Sequence, residues 1–259
     1  MQLAKNVIDV GLSTNDLEPM LRFWQQDVGL RFDHVLPVRR GQKQYRHDEQ
    51  GSVIKINHHA EPLPEAAPSG YRELIIARDG VEKSRSMVDP DGNRVCLVPP
   101  GHDGVAQLAI RMGVRSLDQH RKFYGDILGF AEQRWPGGTA FRLGDSLVTL
   151  EQDSAATVGP PREAPGWRYI TLQIVDIDAV HNDLRSKGRA RGPCTDHAWK
   201  RGADIDDPRS GRQLDRTIAP GLDRWQRLVK GASKTRSPVN YQLSPKGRNS
   251  TLNDHALRC

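Results

Sequence analysis

Hydrophobic and polar positions along the chain follow the same succession of patterns twice. A short run with the period of a β-strand, VIDVGL at residues 7–12 or LAIRM at residues 108–112, leads through a turn into a segment with helical spacing. The apolar positions of the first helical segment are Leu17, Met20, Leu21, Trp24 and Val28, and those of the second are Leu117, Tyr124, Ile127 and Leu128. Gly29 and Gly129 follow these segments and predict where each helix ends. The repeat distance is about one hundred residues, which is too long for a solenoid and indicates domain duplication.

Residues that favour helix starts stand before both helical segments. Asn15 is followed three positions later by Glu18, and Ser116 is followed three positions later by Gln119. Both pairs resemble a capping box, in which the first side chain accepts a backbone hydrogen bond from the first turn. Asp176 is placed in the same way before a third helical pattern that ends at Gly188. The sequence therefore predicts three helix starts.

Paired strand patterns follow the helices. FRLGD and SLVTLEQ flank a Gly-Asp turn, which favours a β-hairpin, and further strand entries occur at YRELIIARDG, DPDGNRVCLVPP and WRYITLQIVD. Connectors rich in proline and glycine lie at 60–70, 99–104 and 158–166. The pattern predicts an α+β fold of four β-α-β-β-β modules, grouped into domains at 1–100 and 104–230, with the third module best preserved.

Charge is unevenly distributed. The net charge of the chain is +6, but residues 189–259 alone carry fifteen lysines and arginines against seven acids, whereas residues 1–188 carry a net charge of −2. A nucleic-acid interface requires a basic face on a folded module, so no nucleic-acid partner is predicted. No apolar run is long enough to span a membrane. Cys96, Cys194 and Cys259 show no paired spacing, and with no signal-peptide pattern they favour a cytoplasmic protein.

Several strings resemble one family when taken together and in order. They are DLE…LRFW…DVGL, DPDGNRV, SLD…RKFYGDILGF, FRLGDSLVTLE and YITLQIVDIDAVHNDLRSKG, all between residues 7 and 188. They resemble the vicinal oxygen chelate superfamily, which includes glyoxalase I, extradiol dioxygenases, fosfomycin-resistance transferases and bleomycin-binding proteins. The resemblance implies tandem modules that form a cup around a divalent metal, a small-molecule substrate, and a homodimer as the assembly compatible with the family. It does not fix the reaction, because one fold supports many.

The resemblance also implies where metal ligands would stand. In the second domain, Gln107 occupies the first-strand position and Tyr169 the next module's position, so these two residues are the predicted ligands. The alternative for both is a role in lining the cavity. Imidazole and carboxylate ligands with open positions suit Fe, Mn, Zn or Ni, which are the predicted cofactors.

The first domain lacks such a ligand set. Its corresponding positions fall on Asp9, on Arg72 or Glu73, and on Cys96, with Lys55 beside the remaining one. Since lysine and arginine repel a dication, the first domain is predicted to bind no metal. The pair His58-His59 is interpreted as surface residues, because adjacent strand residues point to opposite faces.

The family pattern stops after Gly188. Read one nucleotide later, permitted codons for residues 209–216 spell Asp-Pro-Asp-Gly-Asn-Trp-Ile-Glu, which is the closing motif expected there. We therefore predict that residues from about 189 onward are a frameshifted C-terminus, with a genuine basic tail as the alternative. As written, the tail at 231–259 lacks a hydrophobic period and is predicted to be disordered, and the second domain is predicted to be destabilised.

Two classes of function remain open at this stage. The first is a metal-dependent lyase or dioxygenase acting on a small oxygenated metabolite, in which the cation polarises vicinal oxygens. The second is a metal-free binding protein or a pseudo-enzyme. If the frameshift is real, activity is predicted to be impaired in this chain.

Overall fold

The computed structural model describes residues 2–67, 69–156, 163–176, 179–180 and 217–218. The first repeat consists of β1 (Asp9–Thr14), α1 (Leu17–Arg22), β2 (Arg31–Arg39), β3 (Gln42–Glu49) and β4 (Ser52–His59). The segment that follows contains β5 (Tyr71–Ala77), β6 (Arg85–Val88) and β7 (Arg94–Val98). The second repeat consists of β8 (Leu108–Val114), α2 (Leu117–Arg121), β9 (Ala131–Trp135), β10 (Gly138–Leu143) and β11 (Ser146–Gln152), and the last strands are β12 (Gly166–Thr171) and β13 (Thr217–Ile218).

These elements confirm the predicted α+β class with tandem modules, and they correct one detail. The second module has three strands and no helix, since residues 78–84 between β5 and β6 form turns. The fourth module is described only through β12, the residues just after it and β13, and the predicted helix after Asp176 lies mostly outside the described residues. The tail at 231–259 and the predicted frame change near 189 also lie outside them.

The strands form two sheets that join distant parts of the chain. Sheet A has the order β13-β12-β1-β4-β3-β2, and sheet B has the order β6-β7-β5-β8-β11-β10-β9. In sheet A, β1 pairs antiparallel with β12, so the first module pairs with the fourth. In sheet B, β5 pairs antiparallel with β8, so the second module pairs with the third. Each sheet therefore combines strands from both predicted domains, and the boundaries at 1–100 and 104–230 remain predictions.

Both helices are short and continue into a wider turn. α1 runs into a short π-helix at Phe23–Asp27 and α2 into a short π-helix at Lys122–Ile127. Gly29 and Gly129 then end the helical segments at φ of 79° and 77°, a left-handed conformation that favours glycine. The sequence therefore predicted the helix ends correctly, but hydrophobic periodicity does not distinguish an α-helical turn from a π-helical one.

The predicted caps had different outcomes. The Ser116 hydroxyl accepts a hydrogen bond from the Gln119 N–H, as predicted. The capping role predicted for Asn15 is wrong: α1 begins after Asp16 without a side-chain cap. The Asn15 side chain instead donates to the carbonyls of His59 and Glu61, and accepts from the N–H of Leu63, which anchors the connector after β4.

One main hydrophobic core joins the apolar faces of both sheets to the two helical segments. Its largest fully buried side chains include Trp24 and Tyr124, one from each helical segment. Trp24 also packs edge-on against Trp167 of β12, with ring centroids 5.5 Å apart. Because strand side chains alternate, the opposite face of each sheet is left for other groups. Among the described residues, no helix is both long and apolar enough to cross a membrane.

Candidate functional site: the second faces of the two sheets

The face of sheet A that points away from the main core is polar. Its side chains come from alternate positions of β1, β3, β4 and β12, and nearly all are buried; we call it the polar face of sheet A, formed by Asp9, Gly11, Ser13, Gln44, Arg46, Lys55, Asn57, Tyr169 and Thr171. Period-2 alternation explains this composition, since the intervening residues of β1, β4 and β12, such as Val10, Ile56 and Ile170, belong to the main core. Buried polar groups of this number require partners.

An ion pair occupies the end of this face nearest to the start of β1. Asp9 and Lys55 are both fully buried, and Lys55 Nζ lies 3.4 Å from Asp9 Oδ2. Lys5 also pairs with Asp9, the Val53 N–H donates to Asp9 Oδ1 at 2.9 Å, and Lys55 donates to the Thr171 hydroxyl. Burial raises the pKa of Asp9, but Lys55, Lys5 and the hydrogen bonds lower it more, so the pKa lies below its ordinary value. The carboxylate is therefore ionised and neutralised by lysines.

Tyr169, one of the two predicted metal ligands, lies on β12 within this polar face. Its hydroxyl accepts hydrogen bonds from Asn57 Nδ2 at 3.0 Å and from Gln44 Nε2 at 3.3 Å. Gln44 also donates to Asn57 Oδ1 and accepts from Arg46, which connects three strands in one network. The phenol oxygen is thus bound to neutral amides in the described part of the chain.

Gln107, the other predicted ligand, lies just before β8 and belongs to a separate cluster. Its amide nitrogen donates to the carbonyl of Glu49 and to Ser52 Oγ, both at 2.9 Å. Its amide oxygen accepts from Ser146 Oγ at 3.0 Å. Gln107 therefore links the β3–β4 hairpin of sheet A to β11 of sheet B, and no contact joins it to Tyr169 among the described residues. That either residue binds a metal remains a prediction.

The face of sheet B that points away from the main core combines an apolar area with charged groups. A second hydrophobic cluster forms what we call the apolar floor, made of Ile75, Ala77, Val98, Val105, Ala109 and Leu147 with the partly buried Cys96 and Trp135 packed against it. Cys96 is the direct partner of Ile75 across β7 and β5, and its thiol contacts the hydroxyl of Ser86. The floor is thus assembled from four neighbouring strands and from β9 at the sheet edge.

Charged residues form a row beside this floor, which we call the charged row. Arg94 lies 3.7 Å from Glu73, Glu73 accepts a hydrogen bond of 3.0 Å from Arg111, and Arg111 Nε lies 3.4 Å from Glu151. The four residues alternate in charge and are neutral as a set. Of the two candidates Arg72 and Glu73, Glu73 belongs to this row and Arg72 pairs with Asp153.

Two polar atoms of paired residues on this face have no hydrogen-bond partner among the described residues. They are Arg111 Nε and Thr149 Oγ1, both buried, and their residues are direct cross-strand neighbours on β8 and β11. Ala109 and Leu147 of the apolar floor lie two positions earlier on the same two strands and pair with each other. Sequence reasoning missed Arg111 and Thr149. The signal was one polar residue within each of two apolar runs, Arg111 in LAIRM and Thr149 in LVTL.

Neither face fits a divalent cation with the residues described. Asp9 stands alone with two lysines, and Glu73 and Glu151 lie on opposite sides of a guanidinium. No cluster of three or more histidine, cysteine, aspartate or glutamate side chains occurs in the described part of the chain. The predicted closing glutamate falls in 209–217, of which only 217 is described.

The described histidines do not add a cation site, and His59 differs from its prediction as a surface residue. His59 is buried rather than exposed, and it contacts Gln42 Nε2 at 3.3 Å. Burial, the charge of Arg39 and the neighbouring His58 lower its pKa against the opposing effect of Glu163. The last residue of β4 is covered because Asn15 anchors the following connector beside it. His59 is therefore a neutral structural residue at ordinary pH.

Comparison with known proteins finds one family model that matches part of the chain. A sequence model of the Glyoxalase/Bleomycin resistance protein/Dioxygenase superfamily matches residues 105–214, which extends past Gly188. Among solved structures, glyoxalase I from Zea mays has a TM-score of 0.54 and 14% identity, over 70% of this chain and 80% of that one. A candidate dioxygenase from Bacillus subtilis has a TM-score of 0.56 and 10% identity, over 89% of this chain and 90% of that one. No curated protein sequence matches the chain. At these identities the structures show a shared fold.

Proposed function

We propose that this protein, whose residues 105–214 match the model of the Glyoxalase/Bleomycin resistance protein/Dioxygenase superfamily, binds a small organic molecule directly on the face of sheet B that points away from the main core. The observation that carries this proposal is the apolar floor beside the charged row. An apolar surface with a few convergent polar groups is the usual composition of a small-molecule site. The partly buried Trp135 packs against this cluster, where its ring can contact a ligand from the side.

Binding on this face would depend on side chains rather than on a metal. Arg111 stands between Glu73 and Glu151, where a cation would have to enter. The Arg111 guanidinium is therefore the cation that a polar substrate group would meet on this face. On sheet A, the Lys55 ammonium likewise lies beside the Asp9 carboxylate. In both places a fixed protein cation neutralises the carboxylates.

Trp135 provides the means to test the proposal. The protein is labelled with ¹⁵N-tryptophan and titrated with indole and benzamide, two flat uncharged probes. We expect the indole N–H signal of Trp135, assigned with Trp135→Phe, to shift, whereas those of Trp24 and Trp167 in the main core stay in place. If neither probe moves the Trp135 signal at millimolar concentration, the proposal is wrong.

A matched pair of variants locates the site. Cys96→Phe places a ring on the apolar floor, where it would occupy space that the probes need. It is expected to weaken binding of both probes about tenfold or more, which corresponds to about 1.4 kcal/mol. Val38→Phe adds a ring at an exposed position of the edge strand β2 in sheet A and is expected to leave binding unchanged. Equal effects of the two substitutions would place the site elsewhere.

The second candidate is the metal-dependent lyase or dioxygenase of a small oxygenated metabolite. It is supported by the family that matches 105–214 and by the fold shared with glyoxalase I. Its ligands would be Gln107, Tyr169 and a glutamate from the shifted reading frame. Reconstitution of the frame-corrected protein with Fe, Mn, Zn or Ni, followed by metal analysis, distinguishes the two: one metal per chain favours the enzyme, and none favours direct binding. A cytoplasmic location and a homodimer remain predictions.

A further inference from the structure

We infer that the ligand of sheet B carries a carboxylate, which binds at Arg111 Nε and Thr149 Oγ1 while its apolar body lies on the floor. This inference rests on the proposed function, because it specifies the ligand of the same face. It is carried by two buried polar atoms of cross-strand neighbours, neither of which has a hydrogen-bond partner in the described part of the chain. A buried polar group without a hydrogen bond is unfavourable, and such groups in a native protein call for an explanation.

The chemistry of the two atoms selects the ligand group. Arg111 Nε can only donate, and the Thr149 hydroxyl can donate as well. Two donors side by side fit two acceptor oxygens, and a carboxylate presents two acceptor oxygens in one plane. An amide or an alcohol would supply at most one acceptor without charge. Thr149 is itself fully buried, and no described residue supplies its hydroxyl with an acceptor.

Charge favours the same group. Arg111 is shared between Glu73, whose side chain is buried, and Glu151, whose side chain is 31% exposed. The contact from Arg111 Nε to Glu151 is an ion pair of 3.4 Å without hydrogen-bond geometry, so Glu151 is the more loosely held partner. A ligand carboxylate that replaces Glu151 at the guanidinium leaves the charge of the row unchanged, while Glu151 turns into solvent. Glu151 thus competes with the ligand for Arg111.

The position of the two atoms explains why an apolar body accompanies the carboxylate. Ala109 and Leu147 precede Arg111 and Thr149 by two residues on their strands, so they point to the same face. A carboxylate bound at the polar pair therefore has its substituent directed either along the floor or away from the sheet. Only the first direction removes apolar surface from water, which adds to binding. The inferred ligand class is a small aryl or alkyl carboxylate.

The test compares benzoate with its uncharged analogue benzamide, with the Trp135 signal as the readout. We expect benzoate to bind about tenfold more tightly, because hydrogen bonds to a charged group are roughly twice as strong as neutral ones. Arg111→Lys keeps the charge but removes the Nε–H, and Thr149→Val removes the hydroxyl at nearly constant shape. Each is expected to reduce benzoate affinity to the level of benzamide while leaving benzamide unchanged.

Glu151→Gln gives the opposite expectation, since it removes the competing carboxylate. Benzoate should then bind several-fold more tightly and benzamide should not. Glu132→Gln is the matched control, because Glu132 pairs with Arg121 and Thr139 away from the floor. It is expected to change neither affinity.

The outcomes separate the inference from the function on which it rests. If indole and benzamide shift the Trp135 signal but benzoate binds no more tightly than benzamide, the carboxylate inference is overturned and the proposed function stands. If no probe shifts the signal, both are overturned. Thr149→Val adds an independent check: its melting temperature should rise while benzoate affinity falls. A purely structural role of Thr149 would leave the affinity unchanged.

Discussion

The ring of Tyr169 lies directly against the backbone of Gly11, its partner on the neighbouring strand: a β-carbon on Gly11 would come within 2.5 Å of the ring carbon Cε1. Glycine at this position lets the ring cross β1, so that the hydroxyl reaches Asn57 on β4 and Gln44 on β3. Gly11 and Tyr169 therefore form one unit, in which the absence of a side chain positions a phenol in the polar network.

Gly11→Ala is expected to destabilise the protein by about 1–3 kcal/mol, the usual range for overpacking a filled site. Urea unfolding measures the change. Gly125→Ala is the control, because a β-carbon there meets only an ordinary contact of 3.4 Å with Phe141. The effect should shrink when Gly11→Ala is combined with Tyr169→Ala, since the clash then disappears. Strict additivity of the two substitutions would mean that the ring is not the cause.

Removal of the Lys55 ammonium should lower the free energy of unfolding, because the negative charge of Asp9 stays buried with one neutralising cation fewer. Breaking a buried ion pair by deleting one partner costs about 3–5 kcal/mol, and we expect Lys55→Met to lie near the lower limit because Lys5 remains. Lys55→Met combined with Asp9→Asn should recover most of the loss, as seen in denaturant unfolding at neutral pH. If the double variant is as unstable as the single one, the two groups are not coupled.

The pH dependence of that pair follows from the direction of the pKa. The pKa of Asp9 is lower in the folded protein than its ordinary value of 3.8, so the pair contributes its full stability above pH 3.8. This contribution is lost as the pH falls through the folded pKa. The single variant Lys55→Met should therefore lose its disadvantage relative to the native chain in strong acid.

Asp89 should act in the opposite direction. Burial raises its pKa to about 6, with a further contribution from Asp91, against the hydrogen bonds from Asn93. Because the folded pKa exceeds the ordinary value of 3.8, the protonated form favours folding, and this stability is lost as the pH rises from about 4 to about 6. A shift of this size corresponds to an effect on the order of 3 kcal/mol.

Comparison of the native chain with Asp89→Asn from pH 4 to pH 7 measures this effect. The free energy of unfolding of the native chain should fall relative to that of Asp89→Asn as the pH rises. The substitution also replaces one acceptor oxygen of Asp89, but that effect is the same at every pH and does not change the slope. Asp103→Asn, which changes an exposed carboxylate, is the control. A native curve that runs parallel to Asp89→Asn would show that Asp89 does not titrate in this range.

Local pattern predicted much of the fold, and the remainder depended on contacts between distant residues. Ser116, Gly129 and the Gly144 turn were predictable because caps and tight turns are decided within a few residues. The pairing of β1 with β12 joins residues about 160 positions apart, and alternation on each strand is compatible with several partners. Which modules share a sheet could therefore not be predicted from periodicity.

The candidate site shows the same division. Tyr169 was correctly placed on a strand, but its partners Asn57 and Gln44 come from β4 and β3. Arg111 and Thr149 were overlooked because each is ordinary in its own strand. Only the register of β8 with β11 brings them together.

Two threonines in one hairpin should respond in opposite ways to the same substitution. Thr149 is buried without a hydrogen-bond partner for its hydroxyl, whereas Thr139 is buried and donates to Glu132 at 2.7 Å. Thr149→Val should stabilise the free protein by about 1 kcal/mol, and Thr139→Val should destabilise it by about 1–2 kcal/mol. Thermal unfolding without ligand measures both. Loss of stability in Thr149→Val would mean that its hydroxyl has a partner in the free protein.

Gln107→Glu distinguishes a structural glutamine from a metal ligand. As the structure stands, Gln107 needs both amide hydrogens, one for the Glu49 carbonyl and one for Ser52. Glutamate cannot donate either bond and places a charge beside a carbonyl oxygen, so we expect a loss of about 1–3 kcal/mol in metal-free buffer. A carboxylate is a better ligand than an amide for Zn, Mn or Fe, so if position 107 bound a metal, the Gln107→Glu protein would instead gain stability on addition of the metal.

Thermal unfolding of the native chain and of Gln107→Glu, each with EDTA and with excess Zn²⁺ or Mn²⁺, separates the two roles of Gln107. A variant that is destabilised in EDTA and unchanged by metal identifies Gln107 as the link between the sheets. A rise in melting temperature specific to the variant with metal would identify it as a ligand position.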